Sequence, residues 1–404
     1  IRPKRTLSRA LLALAGGCGL LAAVSASGPP PAAAADHSVR AVVQASASLS
    51  APDSWWISNR SAAQAMRKVA GPLSSLTTAE GKAAAFGVSN RSKVLELIGD
   101  GANGRAWNTY ALSSLTSTGT VHPGLAPVVE PSGALDVFAV DSNGHLLQLR
   151  QSGGAWSATD LTTATSSIPV PGSPTALVSA GHVVVLTRTS SGKVLETIDD
   201  SLHGGLFSTY NLTALANGPR IASDLSAVDS PGGDGHLHAF ATNSSGHLVE
   251  YVDDDQGGRY WNATDITSAA GSSTTVKGVP SAVAWGNKAR VVVTSSDGAT
   301  LLYTATSSAG NITWGIKDLS ARSGTPAFKS SPVAAVAGTG LAIAGTGFDQ
   351  HLYAITIVAP QNGPASHDIS QAVAGIPTFT GRPSLLVRGS KVSIFASGQT
   401  LPVA

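Results

Sequence analysis

The 404-residue chain has a single cysteine and a single methionine, and charged residues make up only 12% of it. Cys18 lies inside an N-terminal apolar run. The remainder therefore has no disulfide, no thiol nucleophile and no cysteine-based metal site. Without cross-links the fold must be held by its buried core, and the chain is long enough for that. Positive charge is not in excess either: 26 Lys and Arg stand against 24 Asp and Glu, several of the basic ones at the N-terminus. This balance excludes the basic stripe that nucleic-acid binding requires. Long helical patterns are missing too, and only 62–68 (AAQAMRK) reads as helix.

What is present begins with Arg2, Lys4, Arg5 and Arg9 ahead of an apolar run at 10–24. A Pro-rich, small-residue stretch follows and ends at Ala35 before Asp36. That is the order of a secretory signal cleaved after Ala35, and the run is too short and Gly-rich for a membrane span. We therefore expect residues 1–35 to be a signal, 36–50 a flexible Ala/Ser-rich linker, and 51–404 one domain, secreted from a bacterial cell.

Within 51–404 a cassette returns about every fifty residues: apolar strand, Ser/Asn/Asp-Gly turn, apolar strand, then Trp and an Asp-Leu-Thr-like ending. LDVFAVDSNGHLLQLRQSGGAWSATDLT (135–162) is its clearest copy. The position of Gly144 recurs at Ser92, Gly192, Gly246, Gly298, Gln350 and Gly398. Such a period carried on strands marks a radial repeat. In the second copy the expected strands are 126–131, 135–141, 145–151 and 155–162. Runs of this kind, punctuated by Gly, Pro, Ser and Asn, pair antiparallel. The last copy stops after two strands, 383–388 and 392–397, while 53–61 (DSWWISNRS) looks like a fourth strand with none before it. The expected fold is all-β: a seven-bladed β-propeller of four-stranded antiparallel blades. Its ring closes when that N-terminal strand completes the last blade, which removes two sheet edges.

Three series of side chains recur. Trp56, Trp107, Trp156, Trp261 and Trp314, with Phe207, hold one place in the cassette. They are either stacking platforms for sugar rings or covers for the blade edge. Glu96, Glu196 and Glu250 lie four residues past the turn, with Gln148 in the second copy, while Leu302 and Ala354 break the series. Facing a groove between blades, a carboxylate there could accept sugar hydroxyls or be satisfied within the protein. His145, His247 and His351 follow the turn directly. At roughly 12–15 Å between equivalent strands they are too far apart to share a zinc ion, so they read as solvated turn residues. Acidic hairpins at Asp100, Asp199-Asp200 and 253–255 do not have the spacing of a calcium loop. No metal and no cofactor is expected.

The order apolar-x-Val-Phe-Ala-Val-Asp-x-Asn-Gly-x-Leu, a hairpin, then Gly-x-Trp-Ser resembles the repeat of propeller lectins, the fungal fucose-binding lectins and their bacterial relatives. The resemblance covers 51–404. It implies pockets between blades, each built from an Arg of the second strand, a Glu of the third and an aromatic residue. Glu96, Glu196 and Glu250 match the Glu, with Trp107, Phe207 and Trp261 as the aromatics of the same blades and Arg188 in VVVLTRT as the arginine. Trp156 and Trp314 extend the aromatic set, and Tyr303, with Tyr251 and Tyr353, stands near a further third-strand aromatic.

The leading expectation is a secreted, multivalent, lectin-like protein with shallow sites between blades, binding fucose-type or other terminal sugars. The alternative is a non-catalytic scaffold that binds protein or cell-wall material. A sialidase-like hydrolase ranks last: 295–300 (SSDGAT) resembles the Asp-box of that family but lacks its closing Trp. No GxSxG, HExxH or glycosidase carboxylate pair appears in the chain. We therefore expect no enzymatic activity.

Overall fold

Turn chemistry and strand alternation together build seven four-stranded antiparallel sheets, arranged as a β-propeller. The computed structural model describes residues 39–48, 51–59, 69, 71–99, 107–116, 118–200, 206–229, 231, 235–253, 260–286, 288–308, 311–358, 363–372 and 378–400. The N-terminal signal run, the helix expected at 62–68, and Asp100, Asp254 and Asp255 lie outside these residues. Among the described residues no helix is long and apolar enough to cross a membrane.

Blades 1 to 6 span 74–111, 126–160, 175–211, 226–265, 276–318 and 333–368, each a meander whose strands pair in sequence order. Blade 2 is typical, with strands Ala126–Val129, Leu135–Val140, Leu146–Ser152 and Ala155–Asp160. Its second strand is buried throughout and its outermost strand is mostly exposed. Between second and third strands the chain reverses through a residue at positive φ, which glycine adopts freely. Gly144, Gly192, Gly246 and Gly298 hold that place, and Ser92 and Gln350 adopt the same conformation.

The Asp-Leu-Thr ending is a capped helical turn, where the sequence predicts the end of the fourth strand. Asp160 accepts from Thr163 N ahead of Leu161–Ala164, and Asn211, Asp265 and Asp318 do the same for Leu212–Leu215, Ile266–Ala269 and Leu319–Ser323. An unpaired helix N–H taken up by a short polar side chain explains why Asp or Asn recurs there.

Blade 7 holds both ends of the described chain. It runs Thr378–Arg388, Lys391–Thr400, Val39–Ser48 and Ala51–Asn59 from inside to outside. Two N-terminal strands contribute, where the sequence had pointed to one. The segment expected as a linker contains the inner of these, with Ala45 and Ala47 buried and Gln44, Ser46 and Ser48 half-buried. Ala and Ser have little strand propensity, so the pairing partner decides the conformation. Gly398, read as a seventh turn, lies within a strand and pairs with Ala41 and Phe379.

Apolar clusters fill every contact between neighbouring blades. Hydroxyls join the innermost strands: Ser74 Oγ donates to Leu125 O (2.5 Å), Thr175 Oγ1 to Leu225 O (2.6 Å), and Ser75 and Ser384 share a 2.6 Å bond between blades 1 and 7.

Candidate functional site

Successive side chains on a strand face opposite sides of the blade, so parity decides which groove each residue enters. In blade 1, Val94 packs with blade 2 and Leu95 and Leu97 with blade 7. Glu96 therefore faces blade 2. Trp107 packs against the blade 7 cluster, edge-on to Phe395 at 5.9 Å. Glu96 and Trp107 thus enter different grooves, which corrects their expected pairing within one blade.

The aromatic that meets each third-strand polar residue comes from the next blade. Trp156 packs in the groove Glu96 faces, Phe207 in that of Gln148, Trp261 in that of Glu196 and Trp314 in that of Glu250. Blade 7 adds Gln44, opposite Phe395 and facing Trp107. Two later contacts depart from the scheme, because buried Leu302 and Ala354 replace the polar residue. Trp56 lies on the last strand of blade 7, paired with Ser46.

Polar third-strand residues are deep in these grooves. Glu96 and Glu196 are 2% exposed, Glu250 and Gln148 5%. Burial of this degree requires partners, and the blades differ in whether the second strand offers one. In blades 2 and 4 the second strand contributes a polar group twelve positions earlier: Asp136 Oδ2 accepts from Gln148 Nε2 (2.9 Å), and His238 Nδ1 bonds Glu250 Oε1 (2.7 Å). The corresponding residues of blades 1 and 3 are Ala84 and Val184, and here a tyrosine stands directly across from the acid, Tyr110 from Glu96 and Tyr210 from Glu196. Trp261 and Trp314 are buried, whereas Trp107, Trp156 and Phe207 keep part of their surface exposed.

Asp136 is fully buried beside Glu130. Burial, together with a hydrogen bond and repulsion from Glu130, pushes its carboxyl up to about 7. Glu130 in turn is paired to Arg150 through both guanidinium terminal nitrogens.

Other expected residues fall elsewhere. Arg188 is at the opposite end of its strand from Val184, near Asp224 (3.8 Å), and lines a recess of about 460 Å³ with Asn243, Ser244 and Lys277. Tyr303 is fully buried in the cluster between blades 4 and 5, and Tyr251 is equally buried, donating to Pro219 O. The three turn histidines are not merely solvated: His145, His247 and His351 bond the helix-capping Asp160, Asp265 and Asp368 at 2.7, 2.6 and 2.8 Å. These bonds raise the pKa of His145 and His351. Burial would lift Asp265, but its bonds from His247 and Ser268 outweigh it and hold the carboxyl low.

A central cavity of about 470 Å³ runs between the innermost strands. Arg382 reaches into it and donates to the carbonyls of Pro280 (3.1 Å) and Pro332 (2.9 Å), and burial lowers its pKa to about 10.

Sequence reading missed Asp136, His238 and a third member, Arg290 of blade 5, twelve positions before Leu302. Counting back twelve from each third-strand polar residue would have found them.

Fold and groove geometry define a seven-bladed propeller with polar residues of one blade meeting aromatics of the next. Among solved structures the chain is similar to the BP39L lectin from Burkholderia pseudomallei, with TM-score 0.53 and 16% identity over 79% of this chain and 88% of that one. It is also similar to AofleA from Arthrobotrys oligospora (TM-score 0.48, 12% identity, 81% and 89% covered). A third is the fungal lectin of Aleuria aurantia, described as six-bladed (TM-score 0.44, 14% identity, 74% and 95% covered). At these identities the likeness is one of fold. No protein-family model and no curated protein matches the chain.

Proposed function

We propose that this propeller is a secreted, non-catalytic carbohydrate-binding protein, with several weak sites in the grooves between blades that act together. One observation carries the reading: at five successive contacts, a Glu or Gln of one blade faces a Trp or Phe of the next. A sugar has a hydroxyl edge and an apolar C–H face, which a buried acceptor and an aromatic ring complement. Repetition around a ring adds avidity without new contacts. Secretion rests on the basic, apolar and small-residue order of residues 1–35. Asp136 has a carboxyl displaced toward neutrality, but it is fully buried and held by Gln148, so it serves the blade and not a substrate.

The test is a glycan array of the full chain beside a Glu96→Gln/Trp156→Leu double variant, with circular dichroism to establish folding. Signal for one sugar class that falls severalfold in the double variant supports the reading. A folded protein silent across the array refutes it.

A further inference from the structure

The groove between blades 5 and 6 has a different charge from the four before it. Leu302 takes the place of the acid and is buried in the apolar cluster of that contact. On the second strand, where blades 2 and 4 have Asp136 and His238, blade 5 has Arg290, directly opposite Thr304. Its guanidinium carbon lies 3.9 Å from the ring centroid of Trp285. That indole is itself fixed across the contact, because its Nε1 donates to Thr339 O of blade 6 at 3.0 Å.

Among the described residues Arg290 has no anionic neighbour to match it: no carboxylate comes within ion-pair distance, and Nε is buried without an acceptor. The contrast with other arginines is direct: Arg150 has Glu130, Arg188 approaches Asp224, and Arg382 has two proline carbonyls. Arg290 and Trp285 are only half-buried, and the backbone beside Nη2 is exposed Gly286, where even an added Cβ would stay 3.8 Å away. A planar guanidinium held on an indole face, with its donors unspent, matches a carboxylate in a bidentate fork.

We propose that the groove between blades 5 and 6 binds an acidic sugar, its carboxylate against Arg290 and its ring beside Trp285. This rests on the carbohydrate-binding reading above. It assigns one groove a ligand chemistry that grooves bearing a glutamate would repel. A charge-assisted pair of hydrogen bonds makes the preference for a uronate over its neutral counterpart about tenfold.

The experiment is ligand-observed NMR of the full chain with methyl β-D-glucuronide and methyl β-D-glucoside, which differ only at the carboxylate. Arg290→Gln should abolish the preference for the glucuronide. Arg290→Lys keeps the charge but loses the fork and the ring contact, so it should weaken the preference partly. Lys329→Gln removes an exposed cation in the connection ahead of blade 6 and should leave it intact. A preference that survives Arg290→Gln, or one lost equally in Lys329→Gln, overturns the proposal. If the glucuronide does not bind while neutral glycans bind on the array, the acidic-sugar assignment fails and the broader reading stands. If neither binds, both fall.

Discussion

Blades 1 and 3 and blades 2 and 4 fill the same register positions with different chemistry. In blades 2 and 4 the third-strand polar residue is tied to a second-strand partner, Gln148 to Asp136 and Glu250 to His238. In blades 1 and 3 that neighbour is aliphatic, and a tyrosine lies across the sheet from Glu96 and Glu196. A repeated letter therefore does not imply a repeated role. Glu250 completes a pair internal to its blade, whereas Glu96 lies between a tyrosine of its own sheet and a half-exposed Trp156 of the next. Grooves of the first kind hold the polar residue within its own blade through the second strand, and those of the second kind set it across from a tyrosine of the fourth.

The largest effect expected concerns the aromatics. Trp314 is buried, edge-on to Phe240 at 6.1 Å, and Trp314→Ala should cost about 4 kcal/mol in urea unfolding. Half-exposed Trp156 should cost about half as much on truncation, and equal losses would erase the distinction between covering and presenting rings. Next comes His238→Ala, which leaves the Glu250 carboxyl buried without its partner and should cost about 3 kcal/mol. Glu250→Gln, which can still bond His238, should cost less, and a reversal of that order would break the assignment.

Smaller is the effect of Asp136→Asn. The folded protein holds this proton up to about pH 7, against an ordinary 3.8. Between those values the native state binds more protons than the unfolded chain, so the wild-type loses stability as pH rises from about 4 to 7. Asparagine can keep the Gln148 bond and removes the titration. The variant should match wild-type near pH 4 and become the more stable of the two as pH rises to 8. Parallel stability curves for the two proteins would contradict the buried, proton-holding carboxyl.

Much of the fold was legible because each blade announces itself. Turn residues that need positive φ recur at nearly constant spacing, and the apolar second strands between them leave little choice of register. Val39–Ser48 was not legible: its inward residues at Ala45 and Ala47 are alanines, too small to mark a strand, and its partner lies at the far end of the chain. The helical turns were hidden by their length, since four residues such as LTTA show no period. In the site, residue types were readable but the groove each one enters was not. Glu96 and Trp107 look like neighbours along the repeat, and only the alternation of the two strands, counted through the hairpin between them, separates them. Arg290 escaped for a related reason: it lies in a blade whose acid has become Leu302, so no matching pair drew attention to it.

The grooves have one further consequence. Each cassette contributes half of the groove ahead of it and half of the groove behind, so the unit of sequence and the groove are out of phase by half a blade. A cassette copied or lost whole would leave both flanking half-grooves facing new neighbours. Variation in the Trp of one repeat has meaning only beside the Glu or Gln of the repeat before it. The smallest segment able to carry one intact groove is two adjacent blades.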